Sequence, residues 1–224
     1  VLFRSAQVVG TAALGLDGRA TFKEFRSGYE ASQEDRLPGA PVGTRGGLAA
    51  NYRFPQDGEY TIEIKLMCGS IIDAQSESGC SGAAGFPEPH LLEIAIDGAR
   101  VQTLVLKAKG APGPETKEAY TFRVPVSAGP HAVAAWFVRQ PSIDEFDAAR
   151  VKFDKPMHRS NAVSADWMAI YQPYVASMTV GGPFKPTGPG NTSSRRRLLV
   201  CKPTGASDEL LCARRILSAV SKRA

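Results

Sequence analysis

Hydrophobic and polar residues alternate with a period of two along much of this chain. Between residues 60 and 66, hydrophobic side chains occupy every second position: Tyr60, Ile62, Ile64 and Leu66. This alternation is typical of a strand that buries one face and exposes the other. Residues 47–54 form the preceding arm, and Asp57-Gly58 supplies a turn, so the sequence predicts a hairpin here.

Five more segments read as strands: residues 92–96, 101–106, 120–126, 131–138 and 173–180. Asp97-Gly98 joins the first two of these segments and is a strong signal for a two-residue hairpin turn. Pro125 lies within the third segment and indicates an edge strand or a bulge, because proline cannot donate a ladder hydrogen bond. A Gly-Gly-Pro run that starts at Gly181 ends the last segment.

Short strands without intervening helices, roughly eight of them, predict an all-β fold, namely a β-sandwich of the jelly-roll kind. A barrel is the alternative architecture. The chain of 224 residues contains 22 Gly and 16 Pro, which supply the many turns that short strands need. This length suits one large β domain with an appendage, or two small domains.

Composition divides the chain into five segments. Residues 1–5 read like the translation of a sequencing adapter and are left out of fold reasoning, and residues 6–35 form an N-terminal flanking segment. The sandwich is expected to occupy residues 36–182. Residues 183–200 are rich in Pro, Gly, Ser and Arg, which is typical of a linker. Residues 201–224 are expected to be the start of a truncated helical domain.

A short C-terminal helix is predicted after this linker. Ser207 is suited to cap it, and Asp208 and Glu209 in its first turn suit the helix dipole. Its hydrophobic side chains form one stripe: Leu210, Ala213, Ile216, Leu217 and Val220. Because a lone helix cannot bury such a stripe, we expect a neighbouring domain to cover it.

The net charge of +5 is concentrated at one end of the chain. Residues 195–224 contain eight Lys or Arg against two acidic residues, which gives this segment +6 and leaves −1 for residues 1–194. The main domain therefore shows no basic excess of the kind that a nucleic-acid-binding face requires. The sequence also contains no run of 18 apolar residues, so no membrane span is predicted.

Four cysteines form two local pairs, Cys68 with Cys80 and Cys201 with Cys212. Each pair closes a short segment, so the spacing predicts two disulfides and an oxidising compartment. Buried free thiols are the alternative. No CxxCH motif is present, so this chain is expected to hold no haem.

An irregular region from residue 139 to residue 170 separates the last two predicted strands and is rich in acidic residues. Long loops in compact domains are commonly functional. Asp144, Asp147 and Asp166 offer the oxygen ligands that calcium prefers, so they are the candidate metal ligands. The alternative is a solvated acidic loop that binds no metal.

The same region and its flanks contain the candidate sugar-binding residues: Trp136, Asp166, Trp167 and Tyr171. Aromatic rings stack on the C–H face of a sugar, while polar neighbours bind its hydroxyl groups. For Trp136, packing within or beside the core is the alternative role. The sequence contains no GxSxG, HExxH or P-loop motif, so an enzyme is not expected.

Several spaced segments together resemble a known family: residues 37–48, 54–60, 92–98 and 128–131, and the tail from residue 180 to residue 217. They are similar to the middle of the large planctomycete-type cytochrome-c-like proteins, which are exported and multidomain. The resemblance implies a β-sandwich similar to calcium-dependent, xylan-binding carbohydrate modules, in a periplasmic or extracellular protein. It also implies that the tail from Cys201 opens the next, helical domain and that the haem domains lie elsewhere in the parent protein.

One position departs from this resemblance. In related calcium-dependent sandwiches an aspartate often follows the aromatic–aliphatic pair on the last strand and binds the metal, whereas here Ala176 follows Tyr174-Val175. The missing carboxylate argues against calcium at this position, so calcium enters only as the cofactor that the resemblance implies. We expect a non-catalytic module that binds a polysaccharide, with xylan-like chains as the expected class. The alternative is a structural domain that positions neighbouring haem and helical domains of the same polypeptide.

Overall fold

The computed structural model describes residues 2–16, 18–28, 35–67, 89–107, 111, 117, 119–139 and 173–223. Its strands are β1 (Thr21–Arg26), β2 (Thr44–Phe54), β3 (Asp57–Met67), β4 (His90–Ile96), β5 (Ala99–Leu106), β6 (Ala119–Val126), β7 (Gly129–Val138) and β8 (Tyr174–Gly188). Its helices are α1 (Leu2–Leu14), α2 (Ser193–Leu198) and α3 (Ala206–Ser221).

The strands form two antiparallel sheets of four strands each. Sheet A has the order β1-β8-β3-β6, and sheet B has the order β2-β7-β4-β5. A single cluster of buried side chains takes members from both sheets, including Ile62 from sheet A and Leu92 from sheet B, each with no exposed surface. The all-β sandwich with a short C-terminal helix that the sequence predicts is therefore confirmed.

Alternation in the sequence decides which face of each strand enters this core. Tyr60, Ile62 and Ile64 on β3 are fully buried, and the polar residues between them face away from the core. On β7, Val133 and Phe137 are fully buried in the same way. Burial of side chains of this size contributes about 1.5–3 kcal/mol each to the free energy of folding.

The predicted hairpin between residues 47–54 and 60–66 is wrong, because these segments belong to different sheets. β2 pairs with β7, whereas β3 pairs with β6 and β8. The chain crosses between the sheets at Gln56, whose carbonyl oxygen accepts a 2.8 Å hydrogen bond from the Tyr60 hydroxyl. Phe54 before the crossing and Tyr60 after it meet edge to face in the core, with ring centroids 4.6 Å apart.

Two local predictions are confirmed. β4 and β5 pair directly through the Asp97-Gly98 turn, where φ is 51° at Asp97 and 79° at Gly98. Positive φ at both central residues matches the right-handed twist of a two-residue hairpin. Pro125 lies on β6, which is the edge strand of sheet A, where proline is commonly found within sheets.

Sheet A uses residues on both sides of the segment 36–182 that composition assigned to the sandwich. β1 comes from the expected flanking segment and pairs with β8 from Thr21↔Gly182 to Arg26↔Ser177. β8 continues to Gly188, within the expected linker, because the first residues of β3 still provide it with a partner. Composition missed the extension of β8 because Gly and Pro lower strand propensity only where no neighbouring strand compensates.

The end of the sandwich at which β2 leads into β3 through Gln56 is called the turn end here. Both helical segments near it are tied to it by hydrogen bonds. The Gln56 side-chain amide donates to the Gly15 carbonyl oxygen at 2.7 Å, and the Arg195 guanidinium on α2 donates to the Leu14 carbonyl oxygen at 2.5 Å. α1 and α2 therefore lie beside the turn end.

The C-terminal segment contains the predicted disulfide between Cys201 and Cys212, whose Cα atoms are 5.8 Å apart. α3 begins at Ala206 with Gly205 as its N-cap, so Ser207 does not cap it as predicted. Instead, the Thr204 hydroxyl donates to the Asp208 carboxylate in the first turn. No helix in the described part of the chain is long and apolar enough to cross a membrane.

Gly47 on β2 is the position at which a side chain is least tolerable. Its φ is +102°, and a Cβ there would lie 2.0 Å from the Ala135 carbonyl oxygen on β7. Gly98 has a similar φ of +79° but no atom within 4 Å of a Cβ. Gly98→Ala should therefore lower the free energy of unfolding by about 1 kcal/mol, from backbone conformation alone.

Gly47→Ala adds a clash with backbone to the same conformational cost, so we expect a loss of at least about 3 kcal/mol. Urea denaturation of both variants measures the difference. Equal losses in the two variants would contradict the close approach between β2 and β7.

Candidate functional site

Long connections join the strands at one end of the sandwich, opposite the turn end, and we call it the loop end. In sheet A, the end of β3 pairs with the starts of β6 and β8, at Lys65↔Ala119 and Met67↔Tyr174. In sheet B, the end of β7 pairs with the start of β4 at Leu91↔Val138. Residues 68–88, 108–118 and 140–172 therefore all connect strands at the loop end.

Most of the predicted site residues belong to these connections and lie outside the described residues. They are Asp144, Asp147, Asp166, Trp167 and Tyr171, together with the predicted disulfide partners Cys68 and Cys80. Their roles remain predictions. The strand ends on either side of them are described and define where the connection from residue 140 to residue 172 begins and ends.

Both ends of that connection are bonded to the same short segment, the start of β2. The Arg139 backbone N–H donates to the Gly43 carbonyl oxygen at 2.8 Å. The Arg45 guanidinium donates to the Pro173 carbonyl oxygen at 3.3 Å. Arg139 and Pro173 are 34 positions apart in the sequence, and both are thus hydrogen-bonded to residues in the range 43–45.

Arg45 and His90 form the buried base of the loop end. Arg45 is 6% exposed, and its guanidinium lies 5.0 Å from the centroid of the Phe137 ring. The His90 ring packs edge to face against Phe137 at 6.4 Å between centroids. Burial lowers the pKa of His90 to about 4, and the positive charge of Arg45 acts in the same direction. His90 is therefore neutral at neutral pH.

Of the predicted sugar-binding residues, Trp136 lies within the described ranges. It is 3% exposed and packs with Ala40 and Ala95 on the outer side of sheet B, under the segment that precedes β2. Its indole N–H donates to the Glu93 carboxylate at 3.0 Å. The ring has no open face on which a sugar could stack, so Trp136 has the packing role that the sequence left open as its alternative.

Glu93 is a nearly buried carboxylate that this arrangement keeps ionised. Burial alone would raise its pKa, but hydrogen bonds from Arg100 and Trp136 outweigh burial and lower the pKa of Glu93. Arg100 approaches the second carboxylate oxygen at 2.7 Å. These contacts fix the outer side of sheet B and make Glu93 a structural residue.

Within the residues that the structure describes, no group of three or more His, Cys, Asp or Glu side chains could hold a metal ion. The calcium ligands predicted at Asp144, Asp147 and Asp166 lie outside these residues, so calcium binding remains a prediction. Ala176, on the described β8, provides no carboxylate at the position where related sandwiches often have an aspartate.

The outer face of sheet A contains an exposed aromatic residue that the sequence pattern did not reveal. Phe22 on β1 is 67% exposed, and its ring lies 6.2 Å from that of Phe184 on β8. Residues 21–26 did not read as a strand because five of the six are exposed, which hides the two-faced pattern. One signal was available. In a strand, Phe22, Glu24 and Arg26 share one face, whereas Phe25 lies on the other face and packs against the core.

No protein-family model and no curated protein matches this chain. Its fold is similar to several solved structures. A CBM35 module from Cellvibrio japonicus Abf62 is 13% identical, and the match covers 77% of this chain and 100% of that one, with a TM-score of 0.36. A CBM36-1 domain of a multidomain xylanase from the hindgut metagenome of Trinervitermes trinervoides is 10% identical, covering 73% of this chain and 98% of that one, with a TM-score of 0.35.

A family 35 carbohydrate binding module from Clostridium thermocellum is also similar, at 13% identity over 75% of this chain and 96% of that chain, with a TM-score of 0.32. A likeness at this level concerns the fold. It identifies neither a ligand nor a binding residue in this chain.

The buried neutral His90 makes stability depend on pH in a defined window. The unfolded chain protonates this histidine near its ordinary pKa of 6.5, whereas the folded chain holds it neutral down to about pH 4. The contribution of His90 to the free energy of unfolding should therefore be constant above pH 6.5 and fall by about 3 kcal/mol between pH 6.5 and 4. His90→Gln should remove this fall.

Urea denaturation of wild type and His90→Gln at several pH values between 4 and 8 measures the effect. His131→Gln is the control, since His131 is partly exposed at the turn end and its loss leaves the contribution of His90 in place. If His90→Gln does not flatten the wild-type profile, His90 does not cause the fall in the free energy of unfolding.

Proposed function

We propose that this chain is a non-catalytic polysaccharide-binding module of a larger exported protein, with xylan-like chains as the ligand. The proposed binding residues are Trp167 and Tyr171, which would stack on sugar rings, and Asp166, which would accept hydrogen bonds from hydroxyl groups. The expected neighbours are haem and helical domains of the same polypeptide, as the family resemblance of the sequence suggests.

The observation that supports this proposal best is the anchoring of the segment containing these residues. Arg139 and Pro173, which flank it, are both hydrogen-bonded to residues 43–45. Because both flanking residues are held at one strand end, folding of the sandwich already brings the two ends of this segment together. Arg45 and His90 are buried at the same end of the sandwich.

The side chains fit the chemistry of sugar recognition. An indole or a phenol offers an apolar face to the C–H groups of a pyranose ring, and a carboxylate pairs with its hydroxyl groups. Calcium bound by Asp144, Asp147 and Asp166 would cross-link the segment through its carboxylate oxygens and so hold its shape. Nothing in this chemistry requires a bond in the ligand to break.

The disulfide between Cys201 and Cys212 suits an exported protein, because such bonds persist in oxidising compartments. The parent protein would then meet polysaccharides in the periplasm or outside the cell. The module would keep that protein near its polymer, while the chemistry takes place in other domains.

Affinity gels and isothermal titration with soluble xylan, with calcium or with EDTA, test the proposal. Wild type should be retarded, and Trp167→Ala and Tyr171→Ala should each weaken binding by about tenfold, which corresponds to the loss of one stacking contact. Removal of calcium should weaken binding if the three aspartates hold the ion.

Trp136→Phe is the matched control, because Trp136 is buried and should not change affinity. Panels of other plant and algal polysaccharides extend the test beyond xylan. No retardation of the wild type on any of them, with or without calcium, would refute the proposal.

One observation favours a second function, that of a docking domain for its neighbours. On α3, Leu210 is 65% exposed, Leu217 is 68% exposed, and Cys212 is the buried residue of the helix. This hydrophobic stripe is left uncovered by the described part of the chain. A neighbouring helical domain of the parent protein would bury it.

A pull-down with the adjacent domains of the parent polypeptide tests this second function. The double variant Leu210→Glu/Leu217→Glu should abolish capture, because it places charges where apolar contact is needed. Ser218→Glu adds a charge on the same helix and should leave capture intact. Loss of capture in both variants, or in neither, would speak against docking through the stripe.

A further inference from the structure

Phe22 is an exposed aromatic residue on the outer face of sheet A, and its ring lies over the backbone of β8. Phe22 lies opposite Gly181 on β8, and a Cβ at Gly181 would come within 2.5 Å of the Phe22 ring. Glycine at this position therefore allows the ring to lie down on the sheet. A phenyl ring that rests on glycine backbone and is 67% exposed has much of its surface available to a ligand.

Hydrogen-bonding groups surround this ring on the same face. The strand register places Thr61 beside Gly181 and Thr179 beside Glu24, one row further along the sheet. Glu63 on β3 pairs with Thr179 on β8 and accepts a 3.3 Å hydrogen bond from the Thr121 hydroxyl on edge strand β6. A central aromatic ring with hydroxyl and carboxylate neighbours is the composition that sugar recognition requires.

The acidic and basic residues on this face balance one another: Glu63 and Lys65 on β3 lie beside two ion pairs. Arg123 contacts Glu59 at 2.7 Å, and its guanidinium lies 5.8 Å from the centroid of Phe184. Arg26 contacts Glu24 at 2.9 Å. A face whose acids and bases neutralise each other attracts neither a polyanion nor a polycation, which favours an uncharged ligand.

The composition of the face also argues against a protein partner. Stable protein interfaces have an apolar core from which charged residues are depleted. Here the exposed ring of Phe22 and the half-buried ring of Phe184 are set among threonines and ion pairs on the central rows. A single ring can stack on one sugar unit, but it cannot form the core of a protein interface.

We infer that the outer face of sheet A is a second glycan-binding surface, centred on Phe22, which contacts an uncharged stretch of a polysaccharide. This inference rests on the proposed function, since it assumes that the module binds glycans at the loop end. The strand β3 runs from Thr61 beside this surface to Met67 at the loop end, about 20 Å at the rise of an antiparallel strand. One long polysaccharide chain could therefore contact both places.

If one polysaccharide chain contacts both surfaces at once, losing the Phe22 contact affects the affinity for long ligands but not for short ones. A long chain held at the loop end reaches Phe22 at a high effective concentration, so losing that contact weakens the overall affinity. A ligand too short to bridge the two places gains nothing from Phe22 at concentrations that saturate the loop end. The length dependence of the effect identifies the second surface.

Isothermal titration with soluble xylan and with a xylan trisaccharide tests the inference on the whole chain. Phe22→Ala should weaken binding of xylan about five- to tenfold and leave trisaccharide binding unchanged. Phe22→Leu should give the same result, since leucine keeps apolar packing over Gly181 but lacks a flat ring. Phe22→Trp should retain xylan binding. Val105→Ala, an exposed position on edge strand β5 of sheet B, is the control and should have no effect.

Circular dichroism melting of each variant separates binding from folding, and Phe22→Leu keeps the test decisive if Phe22→Ala melts early. Xylan affinity that is unchanged in Phe22→Leu but lost in Trp167→Ala would overturn the second surface and leave the proposed function standing. Equal losses with xylan and trisaccharide would also overturn it, because Phe22 would then act through the fold. A wild type that binds neither probe would refute both proposals.

Discussion

Burial of one hydrophobic core between two sheets is the constraint on which the rest of this structure depends. The chain crosses from sheet B to sheet A between Phe54 and Tyr60, and both rings enter the same core edge to face. The chain also passes between the sheets at the loop end, where β3 of sheet A is followed by β4 of sheet B and β7 of sheet B by β8 of sheet A. The crossings at the turn end are short, at residues 55–56 and 127–128, whereas those at the loop end are long.

Arg45 is a charged residue that is buried at the loop end. The guanidinium of Arg45 lies over the Phe137 ring and reaches the Pro173 carbonyl oxygen, so an aromatic face and a backbone acceptor replace solvent. The same positive charge helps to keep His90 neutral. Packing and electrostatics are thus coupled at the place where the connection that contains Trp167 begins and ends.

The sequence predicted what is local and missed what depends on distant partners. Alternation defined the faces of β3 and β7, and Asp97-Gly98 defined a hairpin, because these properties depend on neighbours in sequence. Alternation cannot distinguish a hairpin from a crossing between sheets, so β2 and β3 were paired wrongly. β1 was missed because its outer residues include Phe22, and β8 was cut short because its Gly- and Pro-rich end is a strand only through pairing with β3. For the site, burial of Trp136 depended on a covering segment that periodicity does not reveal, and the remaining candidates lie outside the described residues.

The hydrogen bonds from Gln56 to Gly15 and from Arg195 to Leu14 have a consequence for how such a module can change over time. They bring the segments before β1 and after β8 together at one pole, while long connections between strands begin and end at the other pole. Substitutions or insertions in those connections therefore fall at the pole opposite the two helical segments. A lineage could vary their length and composition repeatedly while the hydrogen bonds that hold α1 and α2 beside the sandwich stay the same.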